Sequence, residues 1–495
     1  MFQSSQLIKK AIFMIIGLLI VFLAPVTLPI LFDFQYDIRF SWVVLGIVLY
    51  FLVTDFTQAK RLARNAFLFI TIFGTVVALI RPVQYALDEE THLKNTIGLS
   101  GSFFFKYDKE ELKDYDAVFR HDPIRNASNY QGKDYFDAVE HQDSTVAGEP
   151  VGFDNPAYLP GTIGWNLGEL LSSKVKVSYY LGRIGTVIAY ALLVFFAIHA
   201  SKVYKEGIYL LGTLPSALYV TAGFHYDYLY YGVSLLFIAH LSNILAGYEK
   251  LTLKKTMLLQ GLAFLLVFAK FPYVLLALLP LFVPNKYCSE KQVKPFAAIN
   301  FLLIMIIAVV YSGIINVFKV STFASEQSPG IGYFLTHPLP ILRTLASAPF
   351  VLVDHFISRP LQYITHDSGF LMSMTVVLFF TMYILVSLKT QIRLPWSFQV
   401  LTGGLLIGIS LLTIYAITGD PRVYHKGDVF VGGVQGRYYF FPLAILPLFL
   451  SDWIHRNFNL SPLSEENNQK FVAILQYVNT FLMILTISVA LYTQL

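Results

Sequence analysis

The sequence is poor in charge and nearly devoid of cysteine. Lys, Arg, Asp and Glu make up 14% of its 495 residues, against roughly a quarter in an ordinary soluble domain. A water-soluble chain is therefore excluded as the working class. The surplus of Lys+Arg (36) over Asp+Glu (31) is small, and basic residues flanking membrane spans account for it, so nucleic acid is not an expected partner. The one cysteine, Cys288, has no internal disulfide partner, and no Cys/His cluster carries zinc-ligand spacing. Internal repeats and low-complexity segments are absent too, which disfavours a transporter assembled from inverted repeats.

What is abundant is apolar surface: 56% of residues are hydrophobic, 16% are aromatic, and the mean hydropathy is +0.59. Each bilayer crossing needs about 20 mostly apolar residues. Apolar runs bounded by charge or Gly/Pro clusters fall at 11–32, 41–56, 65–81, 178–200, 208–224, 228–247, 256–269, 271–284, 296–318, 370–388, 398–418, 438–451 and 471–492. The expected fold is an all-α polytopic integral membrane protein with about 13 transmembrane helices. The first run is too long for a signal peptide and lacks an A-x-A site, so it counts as a helix.

Short-loop basic residues collect at Lys9 and Lys10, at Lys60, Arg61 and Arg64, at Lys202 and Lys205, and at Lys250, Lys254 and Lys255. Further groups stand at Lys286, Lys291 and Lys294, at Lys389 and Arg393, and at Arg456. Thirteen alternating spans put all of them on one side, which the positive-inside rule makes cytoplasmic. This sets the N-terminus inside and the C-terminus outside. The same count reads 256–284 as two short helices meeting at Lys270, Phe271 and Pro272, where proline breaks the hydrogen-bond ladder; one long, tilted helix there would put Cys288 and the end of the chain on the opposite sides.

The expected organisation is three helices in 1–81, a large first extracytoplasmic loop in 82–177 and helices four to nine in 178–318. A second outer loop then occupies 319–369, followed by helices ten to thirteen in 370–495 with a third outer loop at 419–437. Long loops gathered on one side point to extracytoplasmic chemistry.

Directly after the third span stand Asp88, Glu89, Glu90 and His92, a run of carboxylates at a membrane boundary, where ionisable groups are costly unless paired or used. A helix starting at Asp88 places Asp88 and His92 on one face, and a carboxylate in such surroundings can act as a general base. The same run also reads as an N-cap with acids balancing Arg81 and Lys94. The third loop ends in Gly432, Gly433, Gln435, Gly436, Arg437 and Tyr438. An arginine fork at a helix mouth suits a phosphate, or merely snorkels within an aromatic belt. Arg183, Lys270 and the His225-Tyr226-Asp227 group lie at outer helix ends by the same topology.

Asp154-Asn155-Pro156-Ala157-Tyr158-Leu159-Pro160-Gly161 reads as a rigid turn. His121, Asp122, Arg125 and Lys133 read as a solvated face, and Asn126-Ala-Ser128 as a formal sequon without weight. In the second loop, apolar runs alternate with His337, Arg343, Asp354, His355, Arg359 and His366, the pattern of amphipathic segments lying in the interface.

Together these segments resemble a bacterial family of multi-spanning proteins of unassigned function, itself similar to the GT-C glycosyltransferases. The resemblance covers about residues 75 to 450 and rests on Asp88-Glu89-x-x-His92 paired with Gly433-x-Gln435-Gly436-Arg437-Tyr438. Between them, in the family's order, come Tyr158 to Pro160, Arg183, Asp227 and Lys270 to Tyr273. Of the prolines that precede the acidic motif in the family, only Pro82 is present.

A GT-C-like fold implies an inverting glycosyltransferase, using a polyprenyl-phosphate sugar on the outer face of the bacterial plasma membrane. The acceptor would be a cell-envelope polysaccharide or a teichoic-acid-like glycan, with membrane lipids as neighbours. By this resemblance Asp88, Glu89 and His92 are catalytic, Arg437, Lys270 and Arg183 hold the donor phosphate, and Asp227, Tyr158, Gln435 and Tyr438 bind substrate. No cofactor and no metal site is expected: some GT-C enzymes use a divalent metal, but Asp88-Glu89 lacks the spaced Asp-x-Asp form. A flippase or transporter of lipid-linked saccharides is the alternative, although it calls for ionisable groups near mid-bilayer. An envelope scaffold is the third reading, and neither it nor the transporter needs Asp88 as a base.

Overall fold

The computed structural model describes residues 2–27, 38–83, 88–101, 113–119, 133–142, 155–318, 329–359, 369–390, 392–458 and 463–494. These form helices and connections, with two isolated bridges and no strand among them. The first stretch holds α1 (Phe2–Thr27), α2 (Ile38–Val53), α3 (Leu62–Ile80) and α4 (Glu89–Gly101). Next come α5 (Lys113–Phe119), α6 (Lys133–Ala138), α7 (Leu159–Leu171) and α8 (Val175–Ala200). The middle comprises α9 (Lys205–Gly212), α10 (Pro215–Thr221), α11 (Asp227–Leu245), α12 (Leu253–Leu265), α13 (Leu279–Phe282) and α14 (Val293–Phe318). The remainder holds α15 (Ile331–Thr336), α16 (Leu339–Leu352), α17 (Gly369–Lys389), α18 (Trp396–Ile417), α19 (Phe440–Asn457) and α20 (Glu465–Gln494).

Among the described residues seven helices are long and apolar enough to cross a membrane: Ala59–Ile80, Val175–Ala200, Asp227–Leu245, Val293–Gly313, Leu339–Ser358, Trp396–Ile417 and Glu465–Leu491. Shorter apolar helices occupy Arg39–Val53, Phe271–Phe282 and Ser373–Lys389. Six of the long ones coincide with expected spans; Leu339–Ser358 lies in what the sequence presents as the second outer loop. The expected span at 208–224 is divided into α9 and α10, because Pro215 has no N–H to continue a ladder and instead starts the second helix. The stretch 253–282 is likewise interrupted: α12 tightens into a 3-10 turn at Leu266–Phe268, and a second 3-10 segment, Phe271–Leu278, begins after Lys270.

Five of the seven basic loops meet at one end of the bundle. Lys202 and Lys255 both pair with Glu249, and Lys389 pairs with Glu206. Leu251 N–H donates to Tyr287 O, and Arg456 donates to Leu394 O. Lys294 turns back to cap the last carbonyls of the α13 region, including Pro280 O at 3.0 Å, satisfying acceptors that a helix end leaves without partners. The far ends of α8 and α11 carry Arg183 and Asp227, so the candidate residues gather at the other end.

Leu339–Ser358 lies along that second end. Thr344 Oγ1 accepts from Val431 N–H at 2.9 Å, Ile341 packs with Ile414 and Tyr424, and the Phe356 ring sits 6.0 Å from Tyr231 and 6.2 Å from Phe440. Its first half therefore packs on the third loop and the end of α18, and its last turn on Tyr231 and Phe440 beside Asp227 and Arg437. Its length and composition make it a seventh candidate crossing where the sequence presents a loop. Close backbone approach fixes a second part of this end. A Cβ on Gly164 of α7 would stand 2.1 Å from Leu181 O of α8, a contact only glycine allows. It presses α7, and the turn before it, onto the long helix.

Candidate functional site

Asp88 precedes α4, with its carbonyl accepting from His92 N–H at 3.1 Å. It is the one non-glycine residue with positive φ among the described residues, at 51°. That left-handed conformation costs on the order of 1 kcal/mol outside glycine. It aims the carboxylate at Arg437, whose Nη2 donates to Asp88 Oδ2 at 3.1 Å. The two side chains differ sharply in exposure: Asp88 is 61% exposed and Arg437 only 4%.

Beneath Asp88 lies a buried array of charges. Arg437 Nη1 stands 3.3 Å from Asp227 Oδ2, and Lys270 Nζ stands 2.9 Å from Asp227 Oδ1, with Asp227 fully buried. The Lys270 ammonium faces the rings of Tyr438, Tyr230 and Tyr226 at 4.3, 5.2 and 5.6 Å. Burial pulls the Lys270 amine down to about 8 in spite of the opposing pull of Asp227. Arg437 and Tyr438 lie within a 3-10 segment, Gly436–Tyr439, whose carbonyl at Tyr438 accepts from Tyr230 Oη at 2.9 Å and from Tyr273 Oη. A Cβ on Gly436 would lie 2.6 Å from Val351 O, so this glycine lets Arg437 seat against the rim helix.

Two histidines complete the floor. His92 Nδ1 pairs with Tyr158 Oη at 2.8 Å, and Asn95 donates to the same oxygen at 3.2 Å. The His92 and His225 rings lie 4.0 Å apart. His225 Nδ1 accepts from Asp227 N–H at 3.0 Å, while its Nε2 meets Arg437 Nη1. Burial, with His92 and Arg437 beside it, holds His225 uncharged, well below the ordinary histidine range. The turn that places Tyr158 is fastened by Asn155, which accepts from Ala157 N–H at 2.9 Å and donates to Phe268 O at 2.7 Å, two residues from Lys270.

The three consecutive acids have three separate partners. Asp88 takes Arg437; Glu90 Oε1 accepts from Tyr115 Oη at 2.7 Å, tying α4 to α5. Glu89 turns inward to Arg183, which donates through Nε to Oε1 at 2.9 Å and through Nη2 to Oε2 at 2.8 Å, both side chains being 0% exposed. Arg183 also donates to the carbonyls of Ala78, Arg81 and Pro82 and to Tyr179 Oη. All five guanidinium N–H groups are engaged, leaving none for a donor phosphate. Glu89 and Arg183 thus form a buried brace that holds the start of α4 against α8. Gln435 leads into the 3-10 segment, its carbonyl accepting from Tyr438 N–H at 3.0 Å.

Asp88, His92, Tyr158, Asp227, Lys270, Arg437 and Tyr438 therefore converge from five separated stretches. Tyr226, in the His225-Tyr226-Asp227 group, was already marked by the sequence, whereas Tyr230, which also lines the lysine, carried no signal beyond its helical spacing from Asp227. Asp154, His121, Asp122, Arg125, the sequon at Asn126 and His366 lie outside the described residues, as does the side chain of Lys133. For metals, Asp88, His92 and His225 can bring one ligand atom each within 4.8 Å of one another, a grouping that the missing Asp-x-Asp spacing did not foretell. Arg437 already stands between Asp88 and His225 with a permanent positive charge.

Long apolar helices, and a buried charge array closing at one end under an exposed carboxylate, define a polytopic helical membrane protein. Residues 68–447, more than half of the chain, match the family model described as predicted membrane protein (DUF2142), and the chain belongs to that family. Neither a curated protein nor a solved structure matches it.

Proposed function

We propose that this protein is an inverting membrane glycosyltransferase that moves a sugar from a polyprenyl-phosphate donor to a cell-envelope glycan at the extracytoplasmic surface. The observation that carries the proposal is the pairing of the exposed Asp88 carboxylate with the buried Arg437 guanidinium at the mouth of the helices. An acceptor hydroxyl attacks the anomeric carbon, the bond from that carbon to the phosphate oxygen breaks, and its electron pair leaves with the polyprenyl phosphate. Asp88 takes the hydroxyl proton as general base. Arg437 and Lys270 meet the charge gathering on the departing phosphate in a site of low dielectric.

Donor phosphate and Asp88 compete for the same Nη2 of Arg437, so donor binding frees the carboxylate when the acceptor arrives. Asp227 holds both cations in place, and His92, fixed by Tyr158, lies beside the acceptor side of Asp88. The GT-C resemblance supports the donor class. Arg437 supplies in this scheme the positive charge that a metal would otherwise bring.

The test is sugar transfer in right-side-out and inverted vesicles of a deletion strain supplied with labelled polyprenyl-phosphate sugars. Asp88→Asn and Arg437→Ala at equal protein levels are expected to lose at least about a hundredfold in transfer. Labelled lipid that crosses the membrane without product glycan, unaffected by Asp88→Asn, would replace the transferase by a transporter.

A further inference from the structure

Away from the charge array, α5, the segment after α6, α7 and α8 bring a second set of ligating groups together. His141 Nδ1 lies 2.6 Å from Asp114 Oδ2 and 4.0 Å from Glu169 Oε1. One atom from each of the three falls within 4.8 Å of the others. Among the described residues no lysine or arginine pairs with Asp114 or Glu169, whereas the neighbouring acids Glu140 and Asp137 have Lys174 and Lys176. Two carboxylates thus share a single imidazole, an arrangement short of positive charge, with Asp114 only 7% exposed.

The surrounding groups fix each of these side chains. Gln142 N–H donates to Asp114 Oδ1 at 2.9 Å, leaving Oδ2 turned inward. Trp165 Nε1–H donates to Glu169 Oε1 at 2.7 Å. His141 Nε2 pairs with Ser178 Oγ at 2.9 Å, and a hydroxyl can donate to a bare nitrogen or accept from a protonated one. Ser178 thus supports either tautomer, including the one that turns the Nδ1 lone pair toward the carboxylates. Orienting partners of this kind accompany metal ligands generally.

The order Asp114, His141, Ser178 also has the outline of a hydrolytic triad. Ser178 is fully buried, however, and a Cβ on Gly168 would lie 2.2 Å from its Cα. No substrate carbonyl reaches that hydroxyl, so its part is to orient the ring.

We propose that Asp114, His141 and Glu169 form a binding site for a divalent ion of the zinc class, with one nitrogen and two carboxylate ligands and a position left for water. The ion balances the two carboxylates and fastens α5 and the 139–142 segment to α7. Through Tyr115, which reaches Glu90 of α4, and through the turn before α7, it braces the elements carrying Asp88 and Tyr158. Ion binding itself is independent of the transferase assignment.

The test is equilibrium dialysis of chelator-stripped full-length protein in detergent against Zn²⁺, with metal counted per chain. One ion per chain is expected, with affinity at least about tenfold weaker in Asp114→Asn, His141→Gln and Ser178→Ala. Asp88→Asn and His92→Gln are expected to bind as wild type. A parallel measurement needs no variant: Co²⁺ in the wild-type protein is expected to show ligand-field absorption displaced by Zn²⁺. No stoichiometric uptake by the wild type would overturn the proposal. So would uptake that survives His141→Gln or that disappears in His92→Gln.

Discussion

Replacing Glu89 by Gln separates a structural from a catalytic role for the middle acid of the Asp88-Glu89-Glu90 run. In the structure Glu89 and Arg183 are both 0% exposed and joined by two hydrogen bonds at 2.9 and 2.8 Å. Removing one partner of such a pair leaves an uncompensated buried charge, at a cost of about 3–5 kcal/mol. Glutamine keeps the shape and one acceptor, so the lower part of that range is expected. Arg183→Met should cost as much, because it also strips donors from the carbonyls of Ala78, Arg81 and Pro82, each worth about 1–3 kcal/mol when left unsatisfied.

The double variant should be less destabilised than the sum of the two, by about 2 kcal/mol or more. Thermal unfolding of detergent-solubilised protein, followed by tryptophan emission with Trp165 fully buried as a reporter, measures each term. Sugar transfer is then normalised to folded protein. An unchanged midpoint for Glu89→Gln, with transfer per folded molecule lost, would refute the brace and return Glu89 to the chemistry.

Asp88→Gly should relieve the positive φ and remove a carboxylate that is itself exposed, while Arg437 keeps Asp227, leaving stability within about 1 kcal/mol of wild type; transfer should vanish, as unfolding and vesicle assays together would show. The amine of Lys270 carries its charge below about 8 and loses it as pH rises through that value. Donor kcat/KM should therefore fall on the alkaline side with kcat falling as well, and Lys270→Arg should remove the limb; an identical limb in the variant would exclude this lysine as its source. Gly436→Ala puts a methyl 2.6 Å from Val351 O. It should displace Arg437 and lower transfer at least tenfold, about 1.4 kcal/mol, while Gly427→Ala, which has open space around it but φ of 101°, should strain only its own loop.

Span number and rim illustrate what composition conveys. Apolar runs long enough for a bilayer are a local property, and six of them stand as long helices where hydropathy places them. The interruptions at Pro215 and at Lys270-Phe271-Pro272 are local as well, because proline has no N–H to give. The 339–358 segment is different. Its residues are apolar enough to cross although it falls within an expected outer loop, and only the fold brings it against Val431, Tyr231 and Phe440.

The membership of the candidate site was visible in the sequence as residue types unusual for a membrane boundary: Asp88, His92, Asp227, Lys270 and Arg437. Their pairings were not. Asp88 is turned by its left-handed backbone just before the helix, and Glu89 and Glu90 point about 100° apart within it. Three acids indistinguishable in sequence thus reach Arg437, Arg183 and Tyr115 in turn. Only the fold decides which arginine is wholly enclosed with its carboxylate and which, beside the buried Asp227, also reaches the exposed Asp88. The same holds for Asp114, His141 and Glu169, whose spacing follows no helical period and whose meeting depends on α7 lying against α8 through Gly164 and Gly168. Hydrophobicity and proline act within a few residues and are legible along the chain, whereas a charge acquires its role from partners brought near by packing.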